Sequence, residues 1–190
     1  MGGSKSRLSA LTQDILEEYT ILTYLNKSEI LHIFKIFGQM DRDGTGLQDC
    51  DARFPSESVQ EIFTQLKFNP FRDRIFKVFS SRGDNCMSFE DVLDLCSVMS
   101  EKCPDNVKAA WAFRILDFDE DGLIGEEDLA RVIDRLTQHS GYLTEEEQQH
   151  IIKILMEGLD IESSGKVSVQ EFVHSVGKMS EFPHSFCFRL

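Results

Sequence analysis

Residues 117–128 read DFDEDGLIGEED, with aspartates at the first, third and fifth places and another at the twelfth. Carboxylates at that spacing bring hard oxygen ligands round a divalent cation, and D-x-D-x-D-G opens a twelve-residue calcium loop. Asp117, Asp119 and Asp121 stand at places 1, 3 and 5, and Gly122 makes the sharp turn at 6. Leu123 offers its backbone carbonyl at 7, Ile124 at 8 pairs with a partner loop, Gly125 at 9 leaves a ligand position to water, and Asp128 closes the loop at 12. A surface run of acids accounts for the charge but not for Gly122 and Ile124 at these offsets. Residues 160–171, DIESSGKVSVQE, repeat the design with Asp160, Glu162, Ser164, Gly165, the Lys166 carbonyl, Val167 and a closing Glu171.

The two loops suit different ions. Asp128 is one methylene shorter than glutamate and coordinates through one oxygen, which favours the six-coordinate shell of Mg²⁺ over the larger one of Ca²⁺. Loop 117–128 is therefore expected to hold Mg²⁺ or, weakly, Ca²⁺. Glu171 is a bidentate ligand, so Ca²⁺ is the ion expected in loop 160–171, although Glu162 is bulky at place 3 and Ser164 uncharged at place 5.

Such a loop needs a helix entering and a helix leaving, the EF-hand arrangement. VKAAWAFRIL precedes the first loop, and Leu129, Val132, Ile133 and Leu136 follow it at the spacing of one helix face. Thr144 and Glu147 form a capping box before a helix carrying Ile151, Ile152, Leu155 and Leu159, while Phe172, Val173, Val176 and Met179 continue after Glu171. A similar interval upstream lies SRGDNCMSFED, with Met87 at place 8 and Asp91 at 12, but Arg82 at 3 and Asn85 at 6 make it unfit for metal. Its entering helix is marked by NPFRDRIFKVF, with Asn69 as cap and Pro70 at the first helical position. Further back, Asp41, Asp43, Thr45 and Gly46 open a fourth loop, entered by SEILHIFKIF, in which Gln48 falls at place 8 and Ala52 at place 12. That loop is expected to be structural; the alternative is that Asp49 or Asp51 completes a distorted metal shell.

The organisation expected is all-α, four EF-hands in two paired lobes. Residues 1–24 form an N-terminal extension, 25–100 a metal-free pair, 101–179 a metal-binding pair, and 180–190 an apolar tail over a hydrophobic groove. Phe182, Phe186, Phe188 and Leu190 make the tail apolar, after a helix break at Pro183. It is either permanent packing or a displaceable lid on a helix-binding groove. Candidates for groove or core are Ile115, Leu116, Val132, Ile133, Leu136, Ile152, Leu155, Phe172, Val176 and Met179, and Trp111 is expected in the core.

Composition excludes several functions. Thirty-three acids against twenty bases give a formal charge of −13, which opposes nucleic-acid binding. The five cysteines form no C-x-x-C pair and read as reduced thiols, and the five histidines lack transition-metal spacing. No nucleophile and base pairing, phosphate loop or separate carboxylate pair suggests an enzyme. No apolar run reaches membrane-span length. Met1-Gly2 followed by Ser6 fits the N-myristoylation pattern, with Lys5 and Arg7 behind it, so Gly2 is the expected lipidation site of a cytoplasmic, reversibly membrane-associated monomer.

In the stretches MGGSKSRLS, NPFRDRI, SFEDVLDLCSVMSE, WAFRILDFDEDG and EFPHSFCFRL the chain resembles the calcium- and integrin-binding protein family over nearly its whole length. The resemblance is weaker to the regulatory B subunit of calcineurin and to neuronal calcium sensors. It implies a regulatory adaptor whose C-terminal groove takes amphipathic helices from cytoplasmic tails of membrane proteins such as integrin α subunits, with kinases among its partners. A phosphatase or kinase regulatory subunit and a calcium buffer are the alternatives. The chain departs from the family pattern in the D-x-D-x-T-G opening of its first loop and in Glu162 and Ser164.

Overall fold

The computed structural model describes residues 11–40, 52–138, 141 and 143–182. In chain order its elements are α1 (Gln13–Leu22), α2 (Lys27–Gly38), β1 (Arg53–Pro55), α3 (Ser56–Ile62), α4 (Thr64–Lys67), α5 (Arg72–Phe79), β2 (Cys86–Ser88), α6 (Phe89–Val98), α7 (Asp105–Leu116), α8 (Glu126–Thr137), α9 (Glu145–Leu159) and α10 (Val169–Val176). The all-α EF-hand architecture expected from the sequence is what forms. Among the described residues it divides into a first unit, up to Phe68 together with Phe76–Lys102, and a second, Asn69–Ile75 with the residues from Cys103 on.

In the first unit, Asn26 caps α2 in a reciprocal box with Glu29, and Ile30, Ile33 and Phe37 line its buried face. Phe89, at the start of α6, is fully buried with Phe34 and Phe37 edge-on to it at 5.3 and 5.5 Å. Helix α1, which falls within the stretch assigned to an N-terminal extension, joins this core: the Tyr19 ring meets Phe89 at 5.8 Å and the Tyr24 amide donates to Ser97.

Strands β1 and β2 pair antiparallel, with Phe54 opposite Met87 and Arg53 opposite Ser88. Met87 at place 8 of the second loop is as expected, but its partner is Phe54 and not Gln48. The first hand's register is therefore corrected: place 8 is Phe54, place 9 Pro55 and place 12 Ser58. The cause is a longer interval between helix end and pairing residue. From helix end to pairing residue runs Phe79 to Met87, Leu116 to Ile124 and Leu159 to Val167, one common interval, whereas Gly38 to Phe54 is twice that. The acids from Asp41 to Asp51 lie outside the described residues. The closing position, Ser58, bears no carboxylate, and Pro55 has no N–H with which to hold one.

The second unit is centred on Phe113, Ile124, Leu129, Ile133, Ile152, Leu159, Val167, Phe172 and Val176, with the Phe113 and Phe172 rings edge-on at 5.7 Å. Thr144 and Glu147 form the capping box read from the sequence. Helix α5 begins two residues after Pro70, because the Asn69 side chain first closes a turn onto the Phe71 amide at 2.8 Å. Arg74, 5% exposed, ends α7: it donates to the carbonyls of Arg114 at 3.0 Å, Ile115 at 3.2 Å and Asp117, and pairs with Glu120 at 2.8 Å. Those carbonyls have no helical donors of their own, so the guanidinium supplies the C-terminal cap and its positive charge opposes the helix dipole. Replacing Arg74 with Met should destabilise the second unit by about 2–4 kcal/mol in urea unfolding, since it strands buried acceptors. A loss below about 0.5 kcal/mol would place Arg74 among ordinary surface residues.

Candidate metal centre

Loop 117–128 follows directly from α7, and its backbone turns left-handed at Glu120 and Gly122, with φ of 63° and 83°. Loop 160–171 turns at the same two places, Ser163 and Gly165, with φ of 56° and 87°. The turns bring amides inward, so carboxylates at place 1 accept from place 6: Asp117 Oδ2 from Gly122 at 3.0 Å, and Asp160 Oδ2 from Gly165 at 2.7 Å. Ile124 and Val167 exchange both main-chain hydrogen bonds at 2.9 Å, which joins the loops at place 8 as expected.

Asp117, Asp119 and Asp128 each present a carboxylate oxygen within 4.8 Å of the other two, and both Asp117 and Asp128 are buried. Asp128 is fixed by the amides of Phe118 at 2.9 Å and Gly125 at 3.0 Å, which make the end of the loop and the start of α8 one structure. Asp117 Oδ1 is buried without a hydrogen-bond partner. A buried carboxylate oxygen left so is costly unless something positive meets it. Burial raises the Asp117 pKa, opposed by the Gly122 and Glu120 amides. The donor set, all oxygen and all acid, fits Mg²⁺ or Ca²⁺.

The remaining expected ligands are placed less simply. Asp121 accepts from the Leu123 amide at 2.8 Å and is ion-paired to the Lys166 ammonium, whose side chain crosses from the other loop. Sequence reading assigned Lys166 a backbone role alone; nothing in its position signals where a long flexible cation comes to rest. In loop 160–171 the Lys166 carbonyl accepts from Ser164 Oγ at 2.7 Å. Glu171 accepts from the Glu162 amide at 3.0 Å and from the Ser168 amide and hydroxyl at 2.8 and 2.7 Å. These bonds, the Ser168 amide foremost, lower the Glu171 pKa from 4.5 to about 2. Asp160, Glu162 and Glu171 do not form a second three-acid cluster among the described residues.

The apolar candidates separate. Ile115, Ile133, Ile152, Phe172 and Val176 are buried; Leu116, Val132, Leu155 and Phe182 are partly buried; Leu136 and Met179 are more than half exposed. Phe182 packs against the core cluster of its unit. Phe186, Phe188 and Leu190, like Gly2, lie outside the described residues. Trp111 is half-buried, with the Arg114 guanidinium 4.5 Å from its ring centre, and so is not the core residue expected.

A family model described as an EF-hand domain pair matches residues 107–176. Calcium and integrin-binding family member 2 of Drosophila melanogaster is 34% identical over 97% of this chain and 99% of its own length. Family member 3 of Homo sapiens is 31% identical and human member 2 is 30% identical, both over 97% of this chain and 99% of their own. With two loops built on the EF-hand plan, one of them carrying a carboxylate cluster, and relatives aligned along nearly its full length, the chain belongs to the calcium and integrin-binding family of EF-hand proteins.

Proposed function

We propose that the chain is a non-enzymatic adaptor that responds to divalent cations. Loop 117–128 takes Mg²⁺ or Ca²⁺ through Asp117, Asp119, Asp121, the Leu123 carbonyl and Asp128. Loop 160–171 takes Ca²⁺ through Asp160, Glu162, Ser164, the Lys166 carbonyl and Glu171. The observation that carries the reading is the buried, unpartnered Asp117 oxygen beside two further carboxylates. The relatives are named for binding calcium and integrins. Exposed Leu136, Ile154 and Met179 supply apolar surface for a helix, so the target class is an amphipathic cytoplasmic segment of the integrin α-tail type. Myristate on Gly2 holds the protein reversibly at membranes, and the protein acts as a cytoplasmic monomer.

Calorimetric calcium titration at millimolar Mg²⁺, with and without an amphipathic integrin-tail peptide, tests this. Metal and peptide should each tighten the other's binding by the same factor, and Asp117→Asn should remove one binding event. Equal calcium affinity with and without peptide would leave no adaptor coupling. Lys166→Met releases Asp121 and should tighten binding at loop 117–128 severalfold in the same titration; weaker binding would mean the ammonium does not compete. In chelator, the lowered Glu171 pKa implies that its stabilisation is full above about pH 4.5 and is lost as pH falls through about 2. Urea midpoints across that window should fall less steeply for Glu171→Gln than for the parent chain.

A further inference from the structure

The second hand, unfit for metal by its sequence, nonetheless has the backbone of a cation loop. Its left-handed residues are Gly83 and Asn85, with φ of 62° and 60°, at places 4 and 6, where loops 117–128 and 160–171 have theirs. Asn85 therefore does the work of the missing glycine, as asparagine can in this conformation. Asp91 at place 12 accepts from the amides of Ser81 at 3.1 Å and Ser88 at 2.9 Å, places 2 and 9. Asp128 accepts from the amides at those same places.

A side chain stands among the ligand positions. Arg53, one residue before Phe54 on β1, donates from Nη1 to Asp91 Oδ2 at 3.1 Å and to Ser81 Oγ at 3.2 Å. Its Nη2 donates to Asp84 Oδ1 at 2.8 Å, the Cys86 carbonyl at 2.6 Å and Ser80 Oγ at 3.3 Å. Counted along the loop, Ser80, Asp84, the Cys86 carbonyl and Asp91 are places 1, 5, 7 and 12, the positions that Asp117, Asp121, the Leu123 carbonyl and Asp128 hold in loop 117–128. Place 3 is Arg82, which is exposed. The Arg53 side chain is 12% exposed and that of Asp91 5%. A guanidinium suits this position because it carries permanent charge and several fixed donors.

We propose that the second hand is a cation loop loaded from within: the Arg53 guanidinium takes the place of the metal ion and holds the loop in its bound geometry at any metal concentration. The second hand is thereby excused from sensing, and a latent divalent-cation site lies beneath the arginine.

Hydrogen exchange of peptides covering residues 80–91, measured on the full chain in chelator and in millimolar calcium, tests both parts. In the parent chain the loop should exchange at one rate under both conditions. Arg53→Met should speed exchange there at least tenfold in chelator, and calcium should slow it again by occupying the vacated ligands. Calcium-dependent protection of this loop in the parent chain would overturn the proposal. So would an Arg53→Met chain that exchanges as the parent does in chelator, or one that calcium fails to slow. Should Arg53→Met not fold, Asp84→Asn removes one exposed acceptor and should give a smaller acceleration confined to the same peptides; unchanged exchange there would also overturn it.

Discussion

Two main-chain hydrogen bonds, exchanged between Ile124 and Val167 at 2.9 Å, set the frame on which the second unit depends. The pairing fixes place 8 of each loop, and every other position follows by counting. The entering helix must have ended at place 0, so Leu116 and Leu159 close α7 and α9. The closing acid must come four residues later, where it accepts the amide of place 9 and begins the exit helix. Ligand placement and helix placement are thus one constraint. A cation that pulls on Asp128 or Glu171 pulls on the first turn of α8 or α10, since each acid belongs to both.

The same frame explains which parts of the chain were legible. Loop 117–128 could be assigned residue by residue because three acids, a glycine and an aliphatic occupy fixed offsets, and chance rarely fills all five. The capping box of Thr144 and Glu147 and the pairing of Ile124 with Val167 followed from equally local rules. The first hand misled because counting on from Asp41, Asp43, Thr45 and Gly46 gives Gln48 at place 8, whereas Phe54 is the residue that pairs. The better signal lay downstream: Phe54 before Pro55, then the helical apolar pattern of Val59 and Phe63, both buried. A longer interval breaks the count from one end and leaves it intact from the other.

What no local pattern could supply is where the long cationic side chains come to rest. Arg53, Arg74 and Lys166 each close on oxygens remote in sequence, carbonyls of other segments for the two arginines and the Asp121 carboxylate for the lysine. Their reach, a flexible stem with a charged head, is what hides them from spacing arguments. Together they distribute positive charge inside a chain that is strongly acidic overall, at the loops where carboxylates and carbonyls converge. Self-repulsion among acids is a general cost of such loops, and these three residues offset part of it at Asp84, Asp91, Glu120 and Asp121.

Arg74 carries one consequence for how the protein can be divided. The residues that the EF-hand pair pattern covers begin at 107, whereas the guanidinium that finishes α7 comes from the segment Asn69–Ile75, which belongs to the same compact unit. Arg135 ties that segment further, through paired bonds to Asp73 and one to the Pro70 carbonyl at 3.1 Å. A fragment trimmed to the recognisable repeat would therefore carry both loops and lose the brace that finishes the helix entering the first of them. The edge of a recurring motif and the edge of a self-sufficient piece of protein are different boundaries, and here a single arginine marks the distance between them.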